Sequence, residues 1–197
     1  MKKSTLAYAL TIPAFALLAG CGSKTDTSTT VADNGTAVTE IATDTGNGMD
    51  NVAIAAPAMT GDQFADAAAA SDAFEIAAGK LAQTKATSKD LKDFGAMMVK
   101  DHTASTEALK AAAGKVEPKI TPNPAMTAEQ DANLAALKAA NGADFDSLYK
   151  SQQVAAHQKA LGALQGYAAT GGVPQLKDWA TSTAPTVQKH LDKIQGM

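Results

Sequence analysis

Apolar residues recur every three to four positions from about Asp62 onward, and the stretches over which they do so predict helices separated by short breaks. The first long helix should run from about Asp62 to Ala86 and the second from near Ser88 to Gly114. Between them Thr87-Ser88-Lys89-Asp90 reads as a capping box, the Thr87 hydroxyl accepting from the Asp90 amide while the carboxylate reaches back. Pro118, Pro122 and Pro124 exclude regular helix from Val116 to Thr127. A short helix follows from about Ala128 to Ala140, opened by the capping-box pattern Thr127-Ala128-Glu129-Gln130 and closed by Asn141-Gly142. The third long helix spans about Asp144 to Thr170, where Gly171-Gly172 breaks it. The fourth begins near Pro174, a good first-turn residue, and continues to Gln195 with a kink expected at Pro185.

Connection lengths select a topology. Long helices one and two, and three and four, are joined by very short turns, so each pair forms an antiparallel hairpin. About thirty residues with one short helix separate the pairs. That is enough chain to traverse a bundle from end to end, which makes the second and third long helices parallel. The expected fold is all-α: a four-helix, ferritin-like bundle with one long crossover that contains a short helix.

Placed on a helical wheel, these segments point a polar residue inward from each long helix. His102 shares a stripe with Leu91, Met98 and Leu109, and His157 with Val154, Leu161 and Leu164. His190 falls with Leu176, Trp179, Val187 and Ile194, and Glu75 lies among Phe64, Ala68, Ala78 and Ala82. Each of the three histidines, which are all the chain contains, stands three residues after a valine. Counted from the turns, Glu75 and His102 lie at similar height, as do His157 and His190. One Glu and three His would suit a single divalent transition metal, Zn, Fe or Cu. They would equally suit a hydrogen-bonded polar layer that fixes helix register. Tyr149 and Gln153 are candidate supports for such a site. Asp101 and Glu107 turn away from the His102 stripe and are expected in solvent, and Asp146 is expected to act on the helix dipole.

The residues before the bundle change the picture of where it works. Lys2 and Lys3 precede the apolar run Leu6 to Leu18, too short to span a bilayer, and residues 1–20 read as an export signal. Leu18-Ala19-Gly20-Cys21 looks like a lipobox, in which Cys21 becomes a lipidated N-terminus; an ordinary cleavable signal with a chance cysteine is the alternative. With a single cysteine no internal disulfide can form. Residues 21–60 are rich in Thr, Asp, Gly and Ala and read as a flexible tether with a reach of roughly 35 Å. Residues 61–197 form the bundle domain. Gly22 stands where an Asp would resemble an inner-membrane retention signal, so the expected address is the outer membrane, facing the periplasm. The expected partner is the membrane, held through the lipid; nothing in the sequence identifies a protein partner. A formal charge of −3 without a dense Lys/Arg stripe excludes nucleic-acid binding.

Several motifs carry a family resemblance. Phe74-Glu75-Ile76 with Gly79-Lys80-Leu81-Ala82, Met98-Val99-Lys100-Asp101-His102, Phe145-Asp146-x-x-Tyr149 with Gln153-Val154-x-x-His157, and His190-Leu191 together resemble the bacterial domain-of-unknown-function family four-one-four-two. The resemblance covers about Gly61 to Ile194 and implies a ferritin-like bundle in the bacterial envelope, without an activity or a cofactor. A di-iron centre does not follow from it. Such centres place a Glu three residues before each of two histidines, and this chain has Val99, Val154 and Val187 there. No Ser/His/Asp, Cys/His or glycine-rich phosphate motif with a supporting strand is present, so hydrolase and nucleotide-enzyme readings have no residue-level support. Two readings follow: an envelope lipoprotein whose bundle has a structural, stress-related or partner-binding role, or a periplasmic protein with one Glu/His metal site inside the bundle.

Overall fold

A computed structural model describes residues 59–197. The export signal, Cys21 and nearly all of the tether lie outside the described residues. Five helices follow in order: α1 (Gly61–Lys85), α2 (Lys89–Ala113), α3 (Ala128–Ala139), α4 (Gly142–Thr170) and α5 (Pro174–Gln195). Local chemistry sets their ends. Thr60 opens α1 and Thr127 opens α3, each with a reciprocal capping box through Gln63 and Gln130. The helix α5 begins on Pro174, which has no N–H to leave unsatisfied, and continues through Pro185.

The cap between α1 and α2 differs from the expected one. Ser88 is the N-cap, its hydroxyl accepting from the Leu91 amide. Thr87 instead donates its backbone N–H to Asp146 at 3.0 Å and its hydroxyl to the same carboxylate. A contact 59 residues distant in sequence thus outcompetes the local one, and Asp146 ties the start of α4 to the α1–α2 turn rather than acting only on the helix dipole.

That tie shows the topology. The helices α2 and α4 start at one end of the bundle, where α1 ends, and Lys150 bonds the Met197 carbonyl of the chain end beyond α5 there as well. The hairpins α1–α2 and α4–α5 pack side by side, α1 against α4 and α2 against α5, with α3 lying on α1 and α4. A four-helix bundle with one long crossover results, as the connection lengths require. None of the described helices is long and apolar enough to cross a membrane.

Two glycines fix the α1–α2 crossing. A Cβ on Gly79 would sit 2.7 Å from the Gly95 carbonyl oxygen, and a Cβ on Gly95 would meet the Gly79 oxygen at the same distance. The backbones touch there, and seven residues further from the turn on each helix Asp72 meets His102. The core forms two apolar layers. One holds Phe64, Leu109, Leu161, Leu176 and Trp179; the other holds Phe74, Phe94, Met98, Phe145 and Tyr149. The buried polar residues Asp72, Glu75, His102, Gln153, His157 and His190 fall between them along all four long helices. Each large apolar side chain buried in these layers contributes about 1.5–3 kcal/mol, which lets the fold carry a polar layer. The caps and the two core layers of the described residues lie within 59–197.

A candidate metal centre of three histidines

The polar layer brings the three histidines together. Their rings lie 5.5–5.9 Å apart, centroid to centroid, and one ring nitrogen from each lies within 4.8 Å of the other two. All three are buried. Phe94 forms one wall, with its ring 6.2 Å from His157 and 6.5 Å from His190.

Each imidazole is held through one of its two nitrogens. His102 Nδ1 is 2.7 Å from Asp72 Oδ1, and the other Asp72 oxygen accepts from the Thr106 hydroxyl at 3.2 Å. His190 Nε2 is 3.0 Å from Asp101 Oδ2. His157 Nδ1 donates to the Gln153 carbonyl one turn back, at 2.8 Å. These acceptors leave His102 Nε2, His157 Nε2 and His190 Nδ1, all buried and without a hydrogen-bond partner among the described residues. A buried nitrogen in this condition costs about 1–3 kcal/mol, and three in one place ask for a shared occupant.

The donor set fits a transition metal. Backing each ligating imidazole with a carboxylate or carbonyl is how metal-binding histidines are oriented and made more basic. Metal–nitrogen bonds of about 2.0–2.1 Å put ligand nitrogens about 3.3–3.6 Å apart, so the rings would close by about 1 Å on an ion.

Electrostatics favours the neutral form at two of the three rings. Burial is the main force on His157 and pushes its pKa down to about 3, with the charges of His102 and His190 adding to it, so this ring is neutral at ordinary pH. Burial likewise lowers His190, opposed by its bond to Asp101. Burial also pulls His102 down, but its bond to Asp72 and the charges of Glu75, Asp72 and Asp101 outweigh this, and the balance is upward.

Of the four residues expected to ligate, Glu75 is the one whose carboxylate does not join the convergent set. Its Oε1 lies 3.9 Å from His157 Nδ1, on the outer side of that ring. Burial raises its pKa to about 7 against the lowering pull of His102 and the Gln153 amide. Neither side-chain atom of Gln153 reaches regular hydrogen-bond geometry among the described residues, and it is the backbone carbonyl of Gln153 that supports His157. Tyr149 is buried beneath, stacked on Phe145 at 5.8 Å, its hydroxyl unpartnered among the described residues and held protonated by burial and the nearby Glu75 charge.

Sequence reasoning missed two residues. Asp72 precedes Glu75 by three positions, which puts both on one helix face, and that spacing could have found it. Asp101 was expected in solvent but bonds His190. A bundle helix faces two neighbours, so the residue beside an inward histidine turns toward the next helix rather than away from the protein.

Comparison with known proteins agrees with this architecture. A solved structure described as CopM in the Cu(II)-bound form superposes with a TM-score of 0.60 at 15% identity, covering 70% of this chain and 95% of that one, which shows the shared helical-bundle fold. No curated protein matches the chain significantly. Residues 48–197 match the family described as Domain of unknown function (DUF4142), so the chain belongs to that family.

Proposed function

We propose that the bundle binds one transition-metal ion between His102, His157 and His190, and that it does so in the bacterial envelope as a protein lipidated at Cys21. The observation that carries the metal reading is the set of three buried nitrogens without partners, each on a ring whose other nitrogen is tied back by Asp72, Asp101 or the Gln153 carbonyl. Copper is the favoured ion. Imidazole suits it, and at a nitrogen site divalent copper binds more tightly than zinc or the earlier first-row metals. The neighbouring fold of CopM, solved with Cu(II), supports the same choice. His102 would give up its proton to an ion, and three neutral imidazoles would leave the ion's charge to be balanced by the carboxylates of Asp72, Asp101 and Glu75 around them. Three protein ligands also leave a position for water or for a ligand from a partner, which suits holding and handing on an ion. The address rests on the basic n-region, the short apolar run and the Leu18-Ala19-Gly20-Cys21 sequence.

The test is metal content. Residues 22–197, purified without an affinity tag and dialysed against limiting Cu(II), Zn(II) and Fe(II), should retain close to one equivalent of copper in preference to the others. The His102→Gln, His157→Gln double variant should retain none. Metal-free protein, with unfolding temperatures unmoved by any of the three ions, would leave the polar layer as a device for helix register. Separately, absence of palmitate label on the full chain, or label that survives Cys21→Ala, would remove the anchor.

A further inference from the structure

Beside the histidine layer lies a cavity of about 330 Å³ that the metal reading does not use. It exists because small residues face each other: Ala67 and Ala68 of α1 stand opposite Ala155, Ala156, Ala160 and Ala163 of α4. Elsewhere the core is filled by Phe, Leu and Met; here small side chains of α1 and α4, with the start of α3 across them, leave a cavity among the described residues. Its volume lies in the range of small-molecule sites, about 300–1,000 Å³.

The wall mixes apolar and polar side chains, and three of its polar atoms are buried without partners among the described residues. Trp179, buried at 7% exposure, lines the cavity and its indole N–H has no acceptor among the described residues. Ser105 Oγ and Gln152 Oε1, in the same wall, are buried and without partners too. A donor, an acceptor and a hydroxyl are thus free to meet a ligand in a wall that also includes the rings of Phe64 and Phe74. Charge gives no hold for an ion. Asp72 and His102 at one end pair with each other, and Glu129 and Lys159 at the rim pair at 2.8 Å.

We infer that this cavity is a binding site for a small, uncharged aromatic molecule bearing a hydroxyl, which accepts from Trp179 Nε1 and donates to Gln152 Oε1 or Ser105 Oγ. Because His102 lines the cavity, the bound molecule lies next to the histidine layer, but the site does not depend on a metal.

The probe is N-phenyl-1-naphthylamine, uncharged and fluorescent, added to metal-free protein of residues 22–197. Saturable one-to-one binding is expected, with energy transfer from Trp179, the chain's single tryptophan. Phenol should displace the probe at least tenfold more effectively than benzene. Ala160→Phe fills the cavity and should weaken binding more than tenfold while leaving the unfolding temperature unchanged or raised. Ala163→Leu, a smaller filling change, should act in the same direction if the larger one disturbs the fold. Absence of saturable binding, or binding unaffected by a folded filling variant, overturns the assignment. Equal competition by benzene overturns the role of the polar atoms. Binding to residues 59–197 but not to 22–197 also overturns it, since the chain's own preceding segment would then be the occupant.

Discussion

Replacing Glu75 with Gln should stabilise the metal-free protein at alkaline pH and change it by less than about 1 kcal/mol at pH 5. The side chain is 2% exposed, and burial raises its pKa from 4.5 to about 7. The folded state therefore holds a proton that the unfolded chain releases between those values. A raised carboxyl contributes its stability below the unfolded value and loses it as pH rises through the folded one. A shift of this size corresponds to about 3 kcal/mol lost by pH 8, at about 1.4 kcal/mol for each pH unit. Gln has the shape of the protonated acid and cannot ionise, so the variant escapes the loss. The Glu75 charge also helps to keep His102 protonated, and that support disappears with it, which reduces the net gain to about 2 kcal/mol. For a domain of this size the gain amounts to roughly 8 °C in unfolding temperature. Thermal unfolding followed by circular dichroism at pH 5 and pH 8, with chelator present, measures it. An equal change at both pH values, or a loss at pH 8, would refute the reasoning.

Other perturbations separate support of the site from support of the fold. Asp72→Asn removes the charged acceptor of His102. It should cost about 2–3 kcal/mol at pH 6 in denaturant unfolding, and less at pH 8, because a raised histidine contributes below its unfolded pKa and loses that contribution as pH rises. The same variant should lose about 10–100-fold in copper affinity by competitive titration. Asp101→Ala removes a partly exposed partner of His190, so affinity should fall about tenfold while stability changes by less than about 1 kcal/mol. Gly79→Ala forces α1 off the Gly95 carbonyl and should cost about 1–3 kcal/mol by overpacking, seen as a lower urea midpoint.

The histidines were legible in the sequence because helical period and apolar stripes are local properties. His102, His157 and His190 each share a face with core residues, and connection lengths alone assign the helix order. What the wheel could not show was which neighbour each flank meets. Asp101 lies one step, about 100°, from His102, and whether that step reaches water or another helix depends on the position of α5. Glu75 was correctly turned inward, yet depth and face do not resolve the few ångströms that place it behind His157. Thr87 had a plausible local partner in Asp90 and a better remote one in Asp146, and only the assembled bundle decides between them. The cavity was hidden for a related reason: alanines read as good helix formers one helix at a time, and as the wall of a cavity only when the packing of α1, α3 and α4 is known.

The most direct measurement is the electron paramagnetic resonance spectrum of the protein carrying one equivalent of Cu(II), with ¹⁵N-labelled histidine to count coordinating nitrogens. Three imidazole nitrogens are expected in the wild type and two in His190→Gln. A spectrum without protein nitrogen couplings, or a count of three that survives the substitution, would contradict a site built from His102, His157 and His190.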